Sequence, residues 1–170
     1  MKRSVSTPPA TTTRANGAFA LGLTTTTGNN NTAIGFEALF SNTTGANNMA
    51  NGVLALSQNT TGSGNTANGF RALFSNTIGN RNIALGPLAG ADLTTGSNNI
   101  DIGNVGVAGE SSTTRIGSGQ TRTFIAGTRG RATGNANAIP VLIDSAGQLG
   151  TLSSSRRFKK EIKPMASQQR

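Results

Sequence analysis

The sequence predicts a mainly β protein, a repeat β-solenoid of stacked 17-residue rungs, and three observations lead there. Gly28, Gly45, Gly62, Gly79 and Gly96 lie 17 residues apart, and so do Gly35, Gly52, Gly69, Gly86 and Gly103. Asn31, Asn48, Asn65, Asn82 and Asn99 keep the same step, as do two alanine series that begin at Ala33 and Ala38. Within the copies, runs such as NTAIG, NIALG and NIDIG alternate side chains as a strand does. A period this short describes stacked units, each too small to fold alone.

Taken in order, residues 1–14 read as a flexible N-terminal segment. MKRSVSTPPATTTRANG has no apolar run behind its basic residues, so it predicts no secretory signal. The array occupies residues 15–103, with the unit T-T-G-x-x-N-x-A-x-G-x-x-A-L-x-S-N, and ANGAFALGLTTTTG (15–28) is a degenerate first copy with one extra residue. Strands stacked about 4.8 Å apart place the recurring Asn side chains over one another, where they can hydrogen-bond as a ladder. In GFEALFSN and GFRALFSN, Phe36, Leu39, Phe40 and Phe70, Leu73, Phe74 fall at i, i+3, i+4. That spacing predicts a helix of one or two turns with Glu37 and Arg71 pointing away; a continuous β-rung is the competing reading. Thr43-Thr44 and Thr60-Thr61 are adjacent pairs beside a turn glycine, which predicts turn chemistry and not a flat ice-binding threonine array.

Residues 104–153 read as a β-rich connector. TTRIGSGQTRTFIAGTRG contains two strand-like runs, and IPVLIDSAGQLGTL predicts a hairpin turning around Ser145-Ala146-Gly147. Gly117 and Gly119 precede a strand-like run and not a helix, which argues against a phosphate loop.

Composition narrows the chemistry. The chain has no Cys, His, Trp or Tyr, which removes disulfides, thiolates, Cys/His metal sites and a histidine base. Its six carboxylates (Glu37, Asp92, Asp101, Glu110, Asp144, Glu161) are scattered, so neither a carboxylate pair nor a calcium loop is expected. No cofactor and no metal is expected, and no segment has the apolar length that spans a bilayer. Of the net +9, residues 104–170 hold ten basic and three acidic groups. Without interleaved aromatics, this basic end reads as solvated chain and not as a nucleic-acid site around Arg115 to Arg131. The rungs have small inner residues and bury little each, so burial of their phenylalanines between copies predicts a parallel homotrimer.

The run TTGNNNTAIGFEALFSNTTG resembles the head repeats of trimeric autotransporter adhesins and of related phage tail-fibre proteins. The resemblance covers roughly residues 15–103 and implies a left-handed parallel β-roll formed by three chains. PVLIDSAGQLGTLSSSRRFKKEIKPM resembles the connector and start of the endosialidase-type intramolecular chaperone, so residues 154–170 read as the truncated start of such a domain. That family cleaves itself before a serine with the help of a lysine five residues on. Carried over, Ser154 takes the nucleophile position and Lys159 the lysine position, with the cut at Ser153–Ser154. Ser155 stands where the family often has Asp, and three consecutive serines leave the register open by one, the Lys159 spacing favouring Ser154. Lysine is the available proton acceptor in a chain without His, and Arg156, Arg157, Lys160 and Lys163 disfavour a further positive charge there. The family's chaperone continues well beyond this point, whereas here five residues follow Met165, so efficient cleavage is not expected.

The expected function is a structural and adhesive segment of a phage tail fibre or bacterial surface adhesin. Its partners would be itself, as a homotrimer, and a glycan or protein on the host surface, with no nucleic acid and no membrane insertion. The expected location is a virion tail fibre or the cell surface. The alternative is a self-processing serine peptidase acting at Ser154.

Overall fold

The computed structural model describes residues 12–22, 27–125, 141–143 and 149–151, in two units divided between Arg122 and Thr123. The first is a β-solenoid. Seven three-residue strands stack in sequence order into one parallel sheet: β1 (Arg14–Asn16), β2 (Thr32–Ile34), β3 (Met49–Asn51), β4 (Thr66–Asn68), β5 (Ile83–Leu85), β6 (Ile100–Ile102) and β7 (Thr114–Ile116). From β2 to β6 each residue pairs with the one 17 further on, for example Ala33 with Ala50 and Ala50 with Ala67. The first step is one longer, Arg14 to Thr32, as the degenerate copy predicts. The last is shorter, Ile100 to Thr114, so stacking continues one rung past Gly103.

The pleat sends alternate residues in and out. Ala33, Ala50, Ala67 and Ala84 at the strand centres are fully buried, whereas their flanking Ile34, Met49, Ile83 and Leu85 are exposed, as is Ile102 beside Asp101. The large apolar strand residues therefore lie outside the rung. Inside, Ala38, Ala55, Ala72 and Ala89 stack beside Leu39, Leu56 and Leu73, all at 0% exposure.

The FEALF segments are not helical, which corrects the i, i+3, i+4 reading. Glu37 and Leu39 sit at φ 52° and 51°, Arg71 and Leu73 at 55° and 51°, with Leu54 and Leu56 doing the same in the intervening rung. With a left-handed residue at every second position, the N–H groups of those residues turn to opposite sides of the rung while the one between them bonds within it, as Ala72 N–H does to Gly69 O (3.2 Å). Arg71 N–H donates backward to Val53 O (2.9 Å), while Leu73 N–H donates forward to Ala89 O (2.9 Å). A helix would spend those donors within one segment. Here inter-rung bonding claims them, against a left-handed cost of about 1–2 kcal/mol per residue. Leu39 points to the core, Phe36 is exposed and Phe40 is half-buried, so they share no face.

Of the second unit, β8 (Val141–Ile143) pairs antiparallel with β9 (Leu149–Thr151), Leu142 opposite Gly150. This is the hairpin the sequence predicts. Residues 121–125, from the second strand-like run of the connector, form no strand.

Candidate functional site

The recurring residues do structural work that can now be assigned. Asn31, Asn48, Asn65, Asn82 and Asn99 are buried, and each Oδ1 accepts the backbone N–H of its counterpart in the next rung, as in Asn65 N–H to Asn48 Oδ1 (2.9 Å). Each Nδ2 donates to a carbonyl of that next rung, as in Asn48 to Gly62 O (2.8 Å). The column is thus a ladder of side chain to backbone, with an amide–amide bond added at its end, Asn99 Nδ2 to Asn82 Oδ1 (3.2 Å). A ladder of amide to amide runs in a second column that sequence reasoning did not single out, Asn42, Asn59 and Asn76, whose Nδ2 groups also donate to the carbonyls of Gly45, Gly62 and Gly79. Asn59 Nδ2 donates to Asn42 Oδ1 (2.8 Å) and Asn76 Nδ2 to Asn59 Oδ1 (3.0 Å). Its signal was the Asn closing each repeat unit. Leu93 ends the column, and Asn76 Oδ1 takes Asn82 Nδ2 instead (3.3 Å).

In the glycine series running from Gly35 to Gly103, every member has positive φ. Gly52, at φ 143°, shows why a side chain is excluded: an added Cβ would run into the carbonyl of Gly69 in the rung beside it.

Three further features remain as candidates. The first is the outer apolar stripe: Ile34, Phe36, Met49, Val53, Phe70, Ile83, Leu85 and Leu88 recur on successive rungs and are all exposed. Arg71 lies beside Phe70 of this stripe and the half-buried Phe74, its guanidinium 5.8 Å from the Phe70 ring centre and 4.7 Å from that of Phe74. Its buried Nε has no hydrogen-bond partner.

The second is a groove of about 450 Å³ along the corner that precedes the strands. Asn47, Gly64, Arg81 and Asn98 occupy equivalent positions in four consecutive rungs, all left-handed, at φ 58°, 69°, 55° and 61°. Each corner N–H donates to the preceding rung, for example Arg81 N–H to Ser63 O (2.9 Å). Ser63, Asn80 and Ser97 form the adjoining wall and brace one another: Ser63 N–H donates to Asn80 Oδ1 (2.8 Å) and Asn80 N–H to Ser97 Oγ (3.0 Å). A larger concavity, about 720 Å³, lies against β1 and β2 at the first rungs and is lined by Ala15, Ala33 and Ile34 with Arg14, Asn16 and Thr32.

The third is the shortened last rung. Asp101 stands where five rungs have alanine; it is 1% exposed and neither carboxylate oxygen has a hydrogen-bond partner. Burial pushes its pKa up to about 6, helped by the negative Glu110 and opposed by Arg115. In the strand register Arg115 stands next to Asp101. Arg115 holds Glu110 through three contacts of 2.8–3.1 Å, which keeps the Glu110 carboxyl below its ordinary value.

Ser154 and Lys159 lie outside the described residues, and so does the Ser153–Ser154 bond. Among the described residues no group of acidic side chains could hold a metal ion, and no helix is long and apolar enough to cross a membrane. No family model matches the chain, and no curated protein or solved structure matches it.

Proposed function

We propose that the chain is a structural and adhesive fibre segment that assembles as a parallel homotrimer and presents its rungs to a surface ligand. The observation that carries this reading is the outer apolar stripe. A core of Ala, Leu and Asn is thin, while Phe70 is left 49% exposed and Phe36 42%. Apolar side chains exposed at one position of successive rungs, as Phe36, Val53 and Phe70 are, suit a contact face. A parallel three-fold arrangement would bring equivalent rungs of each copy to the same height and bury the stripe along its length.

Native mass spectrometry of the purified chain tests the assembly. A trimer is expected, and the double variant Phe36→Ser/Phe70→Ser should shift it towards monomer. A parent chain that stays monomeric at high micromolar concentration overturns the reading. The Ser154/Lys159 junction enters as a maturation step: if it acts, Ser154→Ala abolishes a product ending at Ser153 and leaves assembly unchanged.

A further inference from the structure

We propose that the corner groove around Arg81 binds an anionic oligosaccharide, with the guanidinium on its carboxylate or sulfate and the flanking Asn and Ser groups on its hydroxyls. This deepens the adhesive reading, on which its biological meaning rests, by naming a site and a ligand class.

Arg81 is the one charged residue among the groove's corner positions. The corner position demands positive φ, and the rungs meet that demand with Asn30, Asn47, Gly64 and Asn98, residue types that tolerate it, and with Arg81 and Ser112, which do not favour it. Arg81 stands there at φ 55° with its N–H on Ser63 O, so the backbone accounts for its conformation but not for its guanidinium. Packing does not explain it, because Arg81 is exposed and makes no ion pair among the described residues. An exposed guanidinium that its own fold does not use is left free to meet a ligand.

The neighbours complete a site. Gly64 removes a side chain one rung away, and a Cβ built there would lie 3.6 Å from Arg81 Cγ, so the arginine stem runs over an open glycine floor. Asn47 Oδ1 accepts from Asn30 Nδ2 (3.3 Å), which leaves the Asn47 Nδ2 as a donor. Ser97 Oγ accepts the Asn80 N–H and so keeps its own hydrogen to donate. The lining contains one cation, several neutral donors and no carboxylate. That composition selects an anion carried on a hydroxyl-rich body. Four rungs span about 14 Å, a length for several sugar units, and the volume lies within the ~300–1,000 Å³ of small-ligand clefts. Nucleic acid fits less well, since no aromatic ring lines the groove for a base to stack on.

The repeat supplies its own test variants. Arg81→Asn and Gly64→Asn restore the residue used at this corner by other rungs, so both should fold. Calorimetric titration at 150 mM salt (a condition of the order at which exposed charges are screened beyond about 8 Å) would use tetragalacturonate, a sulfated heparin tetrasaccharide, maltotetraose and a single-stranded DNA tetramer. Saturable binding of either acidic sugar, and not of maltotetraose or DNA, is expected. Arg81→Asn should weaken it about 10- to 100-fold, the range for losing a charged hydrogen bond. Gly64→Asn should weaken it by filling the floor, and Arg122→Asn, with the same charge change outside the groove, should leave it intact. The proposal is overturned if neither acidic sugar binds, if DNA or the neutral sugar binds equally, if Arg81→Asn binds like the parent, or if Arg122→Asn is equally impaired. Native mass spectra of the same samples separate the two ideas. A trimer that ignores acidic sugars removes the groove alone, and a monomer that binds them removes the fibre alone.

Discussion

The middle rungs and the last rung solve the same problem by different means. In the middle, every buried amide finds its partner by translation: the group that satisfies Asn48 is the same group, 17 residues on, that satisfies Asn65. At the end there is no further copy to supply it. Thr113 N–H takes the place of the next Asn N–H on Asn99 Oδ1 (3.1 Å), and Glu110 O replaces the next glycine carbonyl for its Nδ2 (2.9 Å). At the opposite end Thr13 Oγ1 accepts the Asn31 N–H at 3.5 Å, again a substitute for an absent Asn. Repetition satisfies polar groups without special residues, and ends need bespoke ones. The last rung also holds the one buried carboxylate among the described residues without a partner, Asp101.

Three experiments would break or sharpen this contrast. The largest effect belongs to the middle: Leu73→Ala empties a fully buried site flanked by rungs on both sides and should cost about 2–5 kcal/mol in a denaturant titration. A loss under 1 kcal/mol would mean the core is looser than its burial implies. Next, Asn59→Ala removes the central amide of its ladder, stranding Asn42 Oδ1, and should cost about 1–3 kcal/mol, read as a lower urea midpoint at unchanged slope. The smallest effect, with the opposite sign, lies in the last rung. Asp101→Ala restores the residue of the other rungs and should stabilise the chain by about 1 kcal/mol or more at pH 7–8, because an unpartnered buried carboxylate disappears.

The pH profile sharpens the last case. The Asp101 carboxyl is raised from 3.8 to about 6, so the folded chain holds a proton that the unfolded chain has released. Stability from this group is fully present below about pH 4 and is lost as pH rises through 6. Glu110 is lowered by Arg115 and acts oppositely, adding stability above its ordinary value that is lost as pH falls through its folded one. Thermal melts of parent and Asp101→Ala between pH 4 and 7 should therefore converge at the acid end and separate at the neutral end. Parallel profiles would show that Asp101 is ionised throughout and finds a partner in solution.

The period, the parallel stacking of NTAIG-type strands, the extra residue in the first copy, the small inner residues and the hairpin at 141–151 were all legible in the chain, because each is a statement about spacing. Spacing does not reveal which way a side chain faces. The Phe36–Leu39–Phe40 pattern suits a helix as well as a tight turn with alternating φ. The choice fell to the neighbouring rungs, whose carbonyls at Val53 and Ala89 compete for the N–H groups of Arg71 and Leu73. The same holds for the surface. That Ile34 and Ile83 lie outside while Ala33 and Ala84 lie inside follows from the room between stacked backbones. Arg81 and Gly64, 17 residues apart, become the wall and floor of one groove only when the chain has wound one full turn between them. The sequence by itself determined the rung and its repetition, since local pattern and period suffice for those. Tertiary structure decided the direction of each side chain and the meeting of distant residues, since both depend on hydrogen bonds and contacts that a rung makes only with its neighbours.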